Sequence, residues 1–295
     1  MEPVIDKKFT LNNGLKMPAI GFGTFRIRNE RDIMFVVDKA LAAGYRMFDT
    51  AAVYGNETYL GNAFRTLLPK YGLKRKDIFI TTKLSPSDHG GGDRTREAYF
   101  SALKRLGMEY VDLYLIHWPG VSGVPVEDQV NGPMRDNTWA CLAKLYQYGQ
   151  VGAIGVSNYT ITHLQQLLEN NHGVIPAVNQ VEWHPYYHQE DLKNYCEKNS
   201  IILQAYCSFG GTSVNDKSLM TNETIVNIAE KIQKTPSQIL LKWAVQQNVA
   251  IIPKSMSEQH IKDNLKLDFS IPEVDLKEIN SLKQVKYAWN PNTVV

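Results

Sequence analysis

Cysteine is scarce in this chain. Cys141, Cys196 and Cys207 are the only three in 295 residues, odd in number and far apart. That spacing excludes a disulfide framework and a thiolate zinc site, and it leaves buried, reduced thiols as the expectation. Long apolar runs are missing as well: no stretch reaches the length of a bilayer crossing. The charged segment Met1–Phe9 has no apolar core of the kind a secretory signal needs. The sequons at Asn56, Asn158 and Asn222 therefore carry little weight, and a reducing cytosol is the expected compartment. A charge bias of one sign is absent too. Lysine plus arginine number 32 against 30 acidic residues, net +2, which gives no footprint for nucleic acid or an anionic membrane. No low-complexity block or Pro/Gly/Ser-rich linker divides the sequence. With 43% hydrophobic and 10% aromatic residues it has ample material for a large core, so a disordered chain is excluded.

What the sequence does contain is an alternation. Residues 8–18 read as a β-hairpin with Asn13-Gly14 as a two-residue turn. Eight short, β-rich runs follow, at Ile20–Thr24, Met47–Thr50, Ile78–Lys83, Val111–Trp118, Ala153–Asn158, Val178–His184, Ile202–Phe209 and Val249–Lys254. Several are apolar almost throughout, as parallel strands covered on both faces must be. Helical patterns separate them. Ile33, Val36, Val37, Ala40 and Leu41 form one stripe, closed by Gly44; Ala98, Ala102, Leu103 and Leu106 form another, closed by Gly107. Thr235-Pro236-Ser237-Gln238 is a capping box with proline at the first helical position. This alternation predicts an α/β fold, a closed (β/α)8 TIM barrel. An open doubly wound sheet is the competing topology, but Gly21-Phe22-Gly23 lacks the third glycine of a dinucleotide fingerprint. The expected organisation is a single barrel domain over 1–295. It comprises the N-terminal hairpin at 8–18, barrel strands and helices over 20–254, and C-terminal helices and tail over 257–295.

Such a barrel carries its active site at the C-terminal ends of its strands. The second run ends in Asp49-Thr50, with Tyr54 just beyond; the third ends in Lys83, the fourth in His117-Trp118 and the fifth in Ser157-Asn158. The sixth carries Gln180, Glu182 and His184, the seventh Tyr206 and Ser208, and the eighth ends in Lys254-Ser255. Each residue alone is more often packing or a solvated charge; their succession on strand ends is what carries chemistry. Asp, Tyr, Lys and His together suit proton delivery to an oxygen that becomes negative, as when hydride adds to a carbonyl. A phenol near pKa 10 is a weak acid. A lysine ammonium beside it is expected to lower that pKa, an aspartate to hold the lysine, and a histidine to orient the carbonyl. No metal-ligand spacing is present. Beyond the eighth run, Ser257 is placed to cap a helix from Glu258, whose free N–H groups and Lys254 suit a phosphate.

Several longer segments make the sequence familiar. They are Gly21-Phe22-Gly23-Thr24, Gly44 to Ala51 with Tyr54-Gly55-Asn56-Glu57, Ile80-Thr81-Thr82-Lys83-Leu84, and Val111 to Pro119. Ile154 to Tyr159, Asn179-Gln180-Val181-Glu182-Trp183-His184-Pro185 and Ile252-Pro253-Lys254-Ser255 complete the set. In order and spacing the chain resembles the aldo-keto reductase superfamily, from the hairpin to about Trp289. The resemblance implies a (β/α)8 barrel that binds NADP(H) and reduces aldehydes or ketones. It implies a catalytic tetrad of Asp49, Tyr54, Lys83 and His117, with Tyr54 as general acid. It places Ser157, Asn158 and Gln180 on the nicotinamide carboxamide, Tyr206 stacked on that ring, and Asp49 near its ribose. Gly23, Thr24 and Ser208 lie along the same cofactor, Lys254 and Ser255 on the adenosine phosphate, and Asn264 near the adenine. Phe25, Tyr54, His117, Trp118 and Trp289 are the expected pocket walls. The expected partner is a small-molecule carbonyl compound, with no nucleic acid or membrane partner, and the expected state is a monomer.

The chain departs from the family pattern at His260, which stands where an arginine commonly reads the 2′-phosphate. Histidine offers neither the permanent charge nor the planar fork of arginine. NADP(H) is therefore expected with a weakened preference, and NAD(H) with lower affinity. The loops at 120–135 and 210–220 are short, which implies an open pocket for small apolar or aromatic aldehydes and dicarbonyls. Two other readings stay open: a regulatory or structural protein of the same fold without turnover, and a Schiff-base aldolase using Lys83 or Lys254.

Overall fold

The computed structural model describes residues 3–295, the side chains at 212 and 213 apart; positions 1 and 2 of the expected domain lie outside the described residues. A hairpin of β1 (Lys8–Thr10) and β2 (Lys16–Pro18) opens the fold. Its loop is longer than the two-residue turn expected. Leu11 N–H donates to Leu15 O at 2.9 Å, and Gly14 N–H to Leu11 O at 2.8 Å. Three residues therefore bridge the strands, and Gly14 takes φ +87, a conformation glycine adopts without strain.

Eight parallel strands follow: β3 (Phe22–Gly23), β4 (Met47–Asp49), β5 (Phe79–Leu84), β6 (Leu113–Ile116), β7 (Ile154–Ser157), β8 (Val178–Glu182), β9 (Ile202–Tyr206) and β10 (Ala250–Ile251). They pair in chain order. The sheet closes where Ile251 N–H donates to Ala19 O at 2.9 Å and Gly21 N–H to Ile251 O at 2.8 Å. Gly23 lies on this seam, and a Cβ there would stand 2.7 Å from Ile252 O. The helices between the strands are α1 (Glu30–Ala43), α2 (Glu57–Lys70), α3 (Gly92–Leu106), α4 (Asn131–Gln147), α5 (Ile161–Glu169), α6 (Glu190–Lys198), α7 (Glu223–Lys231) and α8 (Pro236–Gln246). Past β10 come α9 (Glu258–Asp263) and α10 (Glu273–Asn280). Their ends follow the sequence signals: Gly44 at φ +107 stops α1, Gly107 at φ +63 stops α3, and Thr235 with Gln238 caps α8. No helix among the described residues is long and apolar enough to cross a membrane.

Two apolar layers hold this together. The larger lies between strands and helices and buries Trp139, Trp183 and Trp243 completely. Each such side chain contributes roughly 1.5–3 kcal/mol or more of transfer free energy. The smaller fills the lumen. Phe9, Leu11 and Met17 of the hairpin plug the bottom against Met47, Phe79, Leu113, Val178 and Ala250. Strand residues alternate between faces, so the next lumen position upward on each strand is two residues on. Met47 leads to Asp49, Phe79 through Thr81 to Lys83, Val178 to Gln180, and Ala250 through Ile252 to Lys254. The lumen is thus apolar at the hairpin end and polar at the other. The ladders stop short of the apolar runs because these upper residues leave the sheet; Asn158 (φ +64) and Cys207 (φ +54) turn away from it. None of the three cysteines is in a disulfide, but only Cys196 is fully buried; Cys141 and Cys207 are half-buried, contrary to the expectation for all three.

Candidate active site

Tyr54 sits in a short turn, Ala52–Tyr54, between β4 and α2. That turn is held by Asn56, which is fully buried. Its Oδ1 accepts from Thr50 Oγ1 at 2.6 Å, and its Nδ2 donates to Thr24 O at 3.0 Å and Ile27 O at 2.9 Å. Glu57 follows, equally buried, accepting from Thr82 Oγ1 and from Arg105 Nε, each at 2.6 Å. The turn is therefore tied to the loop after β3, to β4, to β5 and to α3.

Lys83 lies at the centre of the polar end with no exposed surface. Its Nζ donates to Asp49 Oδ1 at 2.7 Å, Asp49 Oδ2 at 2.8 Å and Thr50 O at 2.9 Å, and it stands 3.2 Å from the Tyr54 hydroxyl. The Tyr54 and His117 rings meet edge to face at 5.7 Å. The four residues of the expected tetrad thus converge at one point. Burial presses Lys83 towards its neutral form, and the Asp49 carboxylate opposes it. Burial and the nearby Lys83 charge push His117 down to about 3, so the imidazole is neutral at any ordinary pH. Its Nδ1 is buried without a partner. The expected lowering of the Tyr54 pKa is not what the site produces. Tyr54 as a residue is half-buried, but its hydroxyl is deeper. Burial first, then the Asp49 charge, holds the phenol well above its usual value. Desolvation of a phenolate here outweighs the pull of one ammonium already neutralised by Asp49.

Gln180 extends this network across the lumen. Its Nε2 donates to Asp49 Oδ2 at 2.8 Å and to Gln204 Oε1 at 2.7 Å. Among the described residues, Gln204 Nε2 faces the thioether sulfurs of Met17 and Met47, at 3.9 and 3.8 Å. Both amides are oriented by this chain: Gln204 turns its oxygen to Gln180, and Gln180 turns its oxygen elsewhere. Ser157 Oγ donates to Gln180 O at 2.7 Å, Asn158 Nδ2 to His117 O at 2.9 Å, and Tyr206 OH to Asn158 Oδ1 at 2.6 Å. Ser208 Oγ is buried without a partner. Thr24 Oγ1 donates to Asp49 O at 2.8 Å.

The far end of the site lies past β10. Ser257 caps α9, its Oγ accepting from His260 N–H at 3.4 Å, and Ser255 Oγ accepts from Ser257 N–H at 3.0 Å. His260 is exposed; Asn264 is buried at the end of the helix. Lys254 has no carboxylate partner among the described residues, and desolvation together with the Arg26 guanidinium pushes its pKa down. At the mouth, Phe25 lies 5.1 Å from the Tyr54 ring and Trp118 lies 5.8 Å from Trp289. No group of His, Cys, Asp and Glu among the described residues is arranged to hold a metal.

Three residues of this site are not singled out by sequence reasoning. Asn56 stands inside a segment noted for its neighbours, and a buried N-terminal asparagine before a helix was its signal. Gln204 is a polar residue in the apolar first half of its run, on the lumen face. Arg26 carries no signal at all.

Residues 19–284 match the model of the Aldo/keto reductase family. The chain is 37% identical over 287 residues to a glyoxal reductase of Bacillus subtilis, covering 97% of this chain and 96% of that one. It is 36% identical over 294 residues to the aldehyde reductase YPR1 of Saccharomyces cerevisiae, covering 93% and 90%. Among solved structures it resembles MGS-M4, an aldo-keto reductase from a Medee basin deep-sea metagenome library. The TM-score is 0.84 and the identity 40%, over 95% of this chain and 97% of that one.

Proposed function

This chain belongs to the aldo/keto reductase family, and on that premise we propose that it is an NADPH-dependent reductase of aldehydes or ketones with Tyr54 as general acid. The observation that carries the reading is Lys83 Nζ, held between the Asp49 carboxylate and the Tyr54 hydroxyl at the polar end of the barrel. Support for the cofactor comes from polar groups left without partners at the strand ends. They are the buried, unpartnered Ser208 Oγ, the Gln180 oxygen turned away from Asp49 and Gln204, and Lys254 without an acidic partner. Ser157, Asn158, Gln180 and Tyr206 would hold the nicotinamide end, Gly23, Thr24 and Ser208 the middle, and Lys254, Ser255, His260 and Asn264 the adenosine end. When bound, the dihydronicotinamide supplies the hydride that reduces the carbonyl carbon.

The protein's own residues manage the oxygen. Burial keeps the Tyr54 proton in place until the oxygen turns negative, because an alkoxide is a stronger base than a phenolate. As that proton leaves, the phenolate meets the Lys83 ammonium at 3.2 Å. Asp49 fixes the lysine, and the neutral His117 offers an N–H to orient the oxygen. Lys83 is fully engaged and fully buried, which argues against a Schiff-base role. Phe25 and Trp289, 45% and 78% exposed, leave the mouth open, and this supports small aromatic aldehydes and dicarbonyls as substrates.

Tyr54→Phe is expected to lower kcat for an aromatic aldehyde by roughly 10²–10⁴, with NADPH affinity by fluorescence titration nearly unchanged. Retention of more than about a tenth of wild-type turnover would remove Tyr54 from the role of acid.

A further inference from the structure

Two titratable side chains at the end of β8 have no part in that chemistry, Glu182 and His184. Glu182 is 1% exposed, and among the described residues its carboxylate meets donors only. Oε1 accepts from His184 Nε2 at 3.0 Å and from the Tyr287 backbone N–H at 2.6 Å. Oε2 accepts from the Ala288 N–H at 3.0 Å and from the Lys286 ammonium. Three consecutive residues of the C-terminal tail thus close on one buried carboxylate. Packing alone does not call for this, since apolar residues of similar volume commonly serve a core as well as a buried ion pair does.

The next residue is Trp289, edge to face with Trp118 at 5.8 Å and 78% exposed. So exposed a ring gains little from burial, and its own contacts cannot hold it there. Its position must be imposed by the backbone before it. Tyr287 fixes that backbone on a second side. Its hydroxyl meets Ser218 Oγ at 3.0 Å, and a Cβ at Gly211 would stand 2.6 Å from its ring, so the tail also lies against the loop that follows β9.

We propose that Glu182 is a positioning residue that latches segment 286–288 and thereby holds Trp289 against Trp118. By this route it sets how well aromatic carbonyl compounds are accepted relative to small ones. The proposal rests on the carbonyl-reductase reading. The latch acts through backbone N–H groups of the tail, so removing the negative charge frees the tail while the tetrad stays intact. In Glu182→Gln an amide NH2 would confront donors on every side.

The test pairs hydrogen exchange with kinetics on the full chain. In Glu182→Gln the amides of Tyr287 and Ala288 should exchange about tenfold faster or more. KM for benzaldehyde should rise about tenfold while KM for glyoxal and NADPH affinity stay within about threefold. Trp289→Ala should reproduce the KM effect with the two amides still protected, and adding Glu182→Gln to it should raise KM no further. If Glu182→Gln fails to fold, Lys286→Met decides with the same readouts, since it leaves the carboxylate its other donors. Unchanged exchange at Tyr287 and Ala288 overturns the latch. Faster exchange with an unchanged ratio of the two KM values, or additive effects with Trp289→Ala, overturns its role in acceptance. A wild type that reduces neither compound overturns the functional reading itself; the exchange result stands apart from it because it needs no turnover.

Discussion

Lys83 makes its contacts with no water-exposed surface, so its removal has two separable effects. Lys83→Met leaves Asp49 buried without its cation, which destabilises by roughly 3–5 kcal/mol where a buried pair is broken. It also leaves the phenolate formed by Tyr54 with no ammonium beside it. Folded Lys83→Met, checked by circular dichroism, is expected to lose about as much kcat as Tyr54→Phe. Near-normal turnover in folded protein would remove the lysine from the mechanism. At this scale the sequence is informative where residue type and chemistry coincide, as with Asp49, Tyr54, Lys83 and His117. It is silent on Gln204 because glutamine in an apolar run says nothing of what it faces. It also misleads on the Tyr54 pKa. A lysine neighbour can be read from strand order, but the depth of the hydroxyl cannot.

Between elements, close approach is set by residues without side chains. Gly61 of α2 lies against the end of α3, and a Cβ there would stand 2.2 Å from Leu106 O. That oxygen is backbone and cannot rotate away, so Gly61→Ala must push the two helices apart. Overpacking of this kind costs roughly 1–3 kcal/mol. Urea unfolding should show a lower midpoint with an unchanged slope; a wild-type midpoint would mean the helices shift freely. The elements themselves were legible. All eight apolar runs became strands, and the glycine and capping-box signals ended α1, α3 and began α8 where expected. Their lengths were not. Apolar character extends to Trp118 and Phe209, whereas pairing ends at Ile116 and Tyr206, because residues beyond turn into the site. The hairpin loop was misjudged for a similar reason: Asn-Gly signals a turn, and only the pairing of Leu11 with Leu15 shows its length.

Over the described residues, burial pushes four histidines below their ordinary value, His184 among them, and three fall far. The ordinary value near 6.5 falls to about 4 for His89, about 3 for His117 and about 4 for His163. Between pH 6.5 and 4 the unfolded chain binds these protons and the folded one does not, so stability falls as pH falls through that window. Each histidine contributes at most about 1.4 kcal/mol per pH unit, and the three together about 4. Below about pH 4.5 Glu182 adds to the loss. Burial opposes its ionisation, but hydrogen bonds from His184 and Lys286 and the Lys286 charge hold it at about 2, so its contribution fades between those values. Urea midpoints should fall steeply from pH 7 to pH 5; a flat profile would mean these rings are hydrated. The order of eight strands made the closed barrel readable. The seam was not, since Ala19, Gly21 and Ile251 look like ordinary strand residues.

That seam has a consequence for how the protein is made. Its partners lie at opposite ends of the sequence, and β3 and β10 are two residues each. Loop-closure entropy must be met in full before so short a pairing gives anything back. A growing chain on the ribosome carries Asp49, Tyr54, Lys83 and His117 well before Ile251 and Pro253 emerge. Until then β3 has an open edge, and the nascent half-barrel presents unpaired N–H and C=O groups to whatever strand comes near. The four residues proposed to move the proton are thus synthesised early, and the barrel around them is closed late, by the same few bonds that remove the edge.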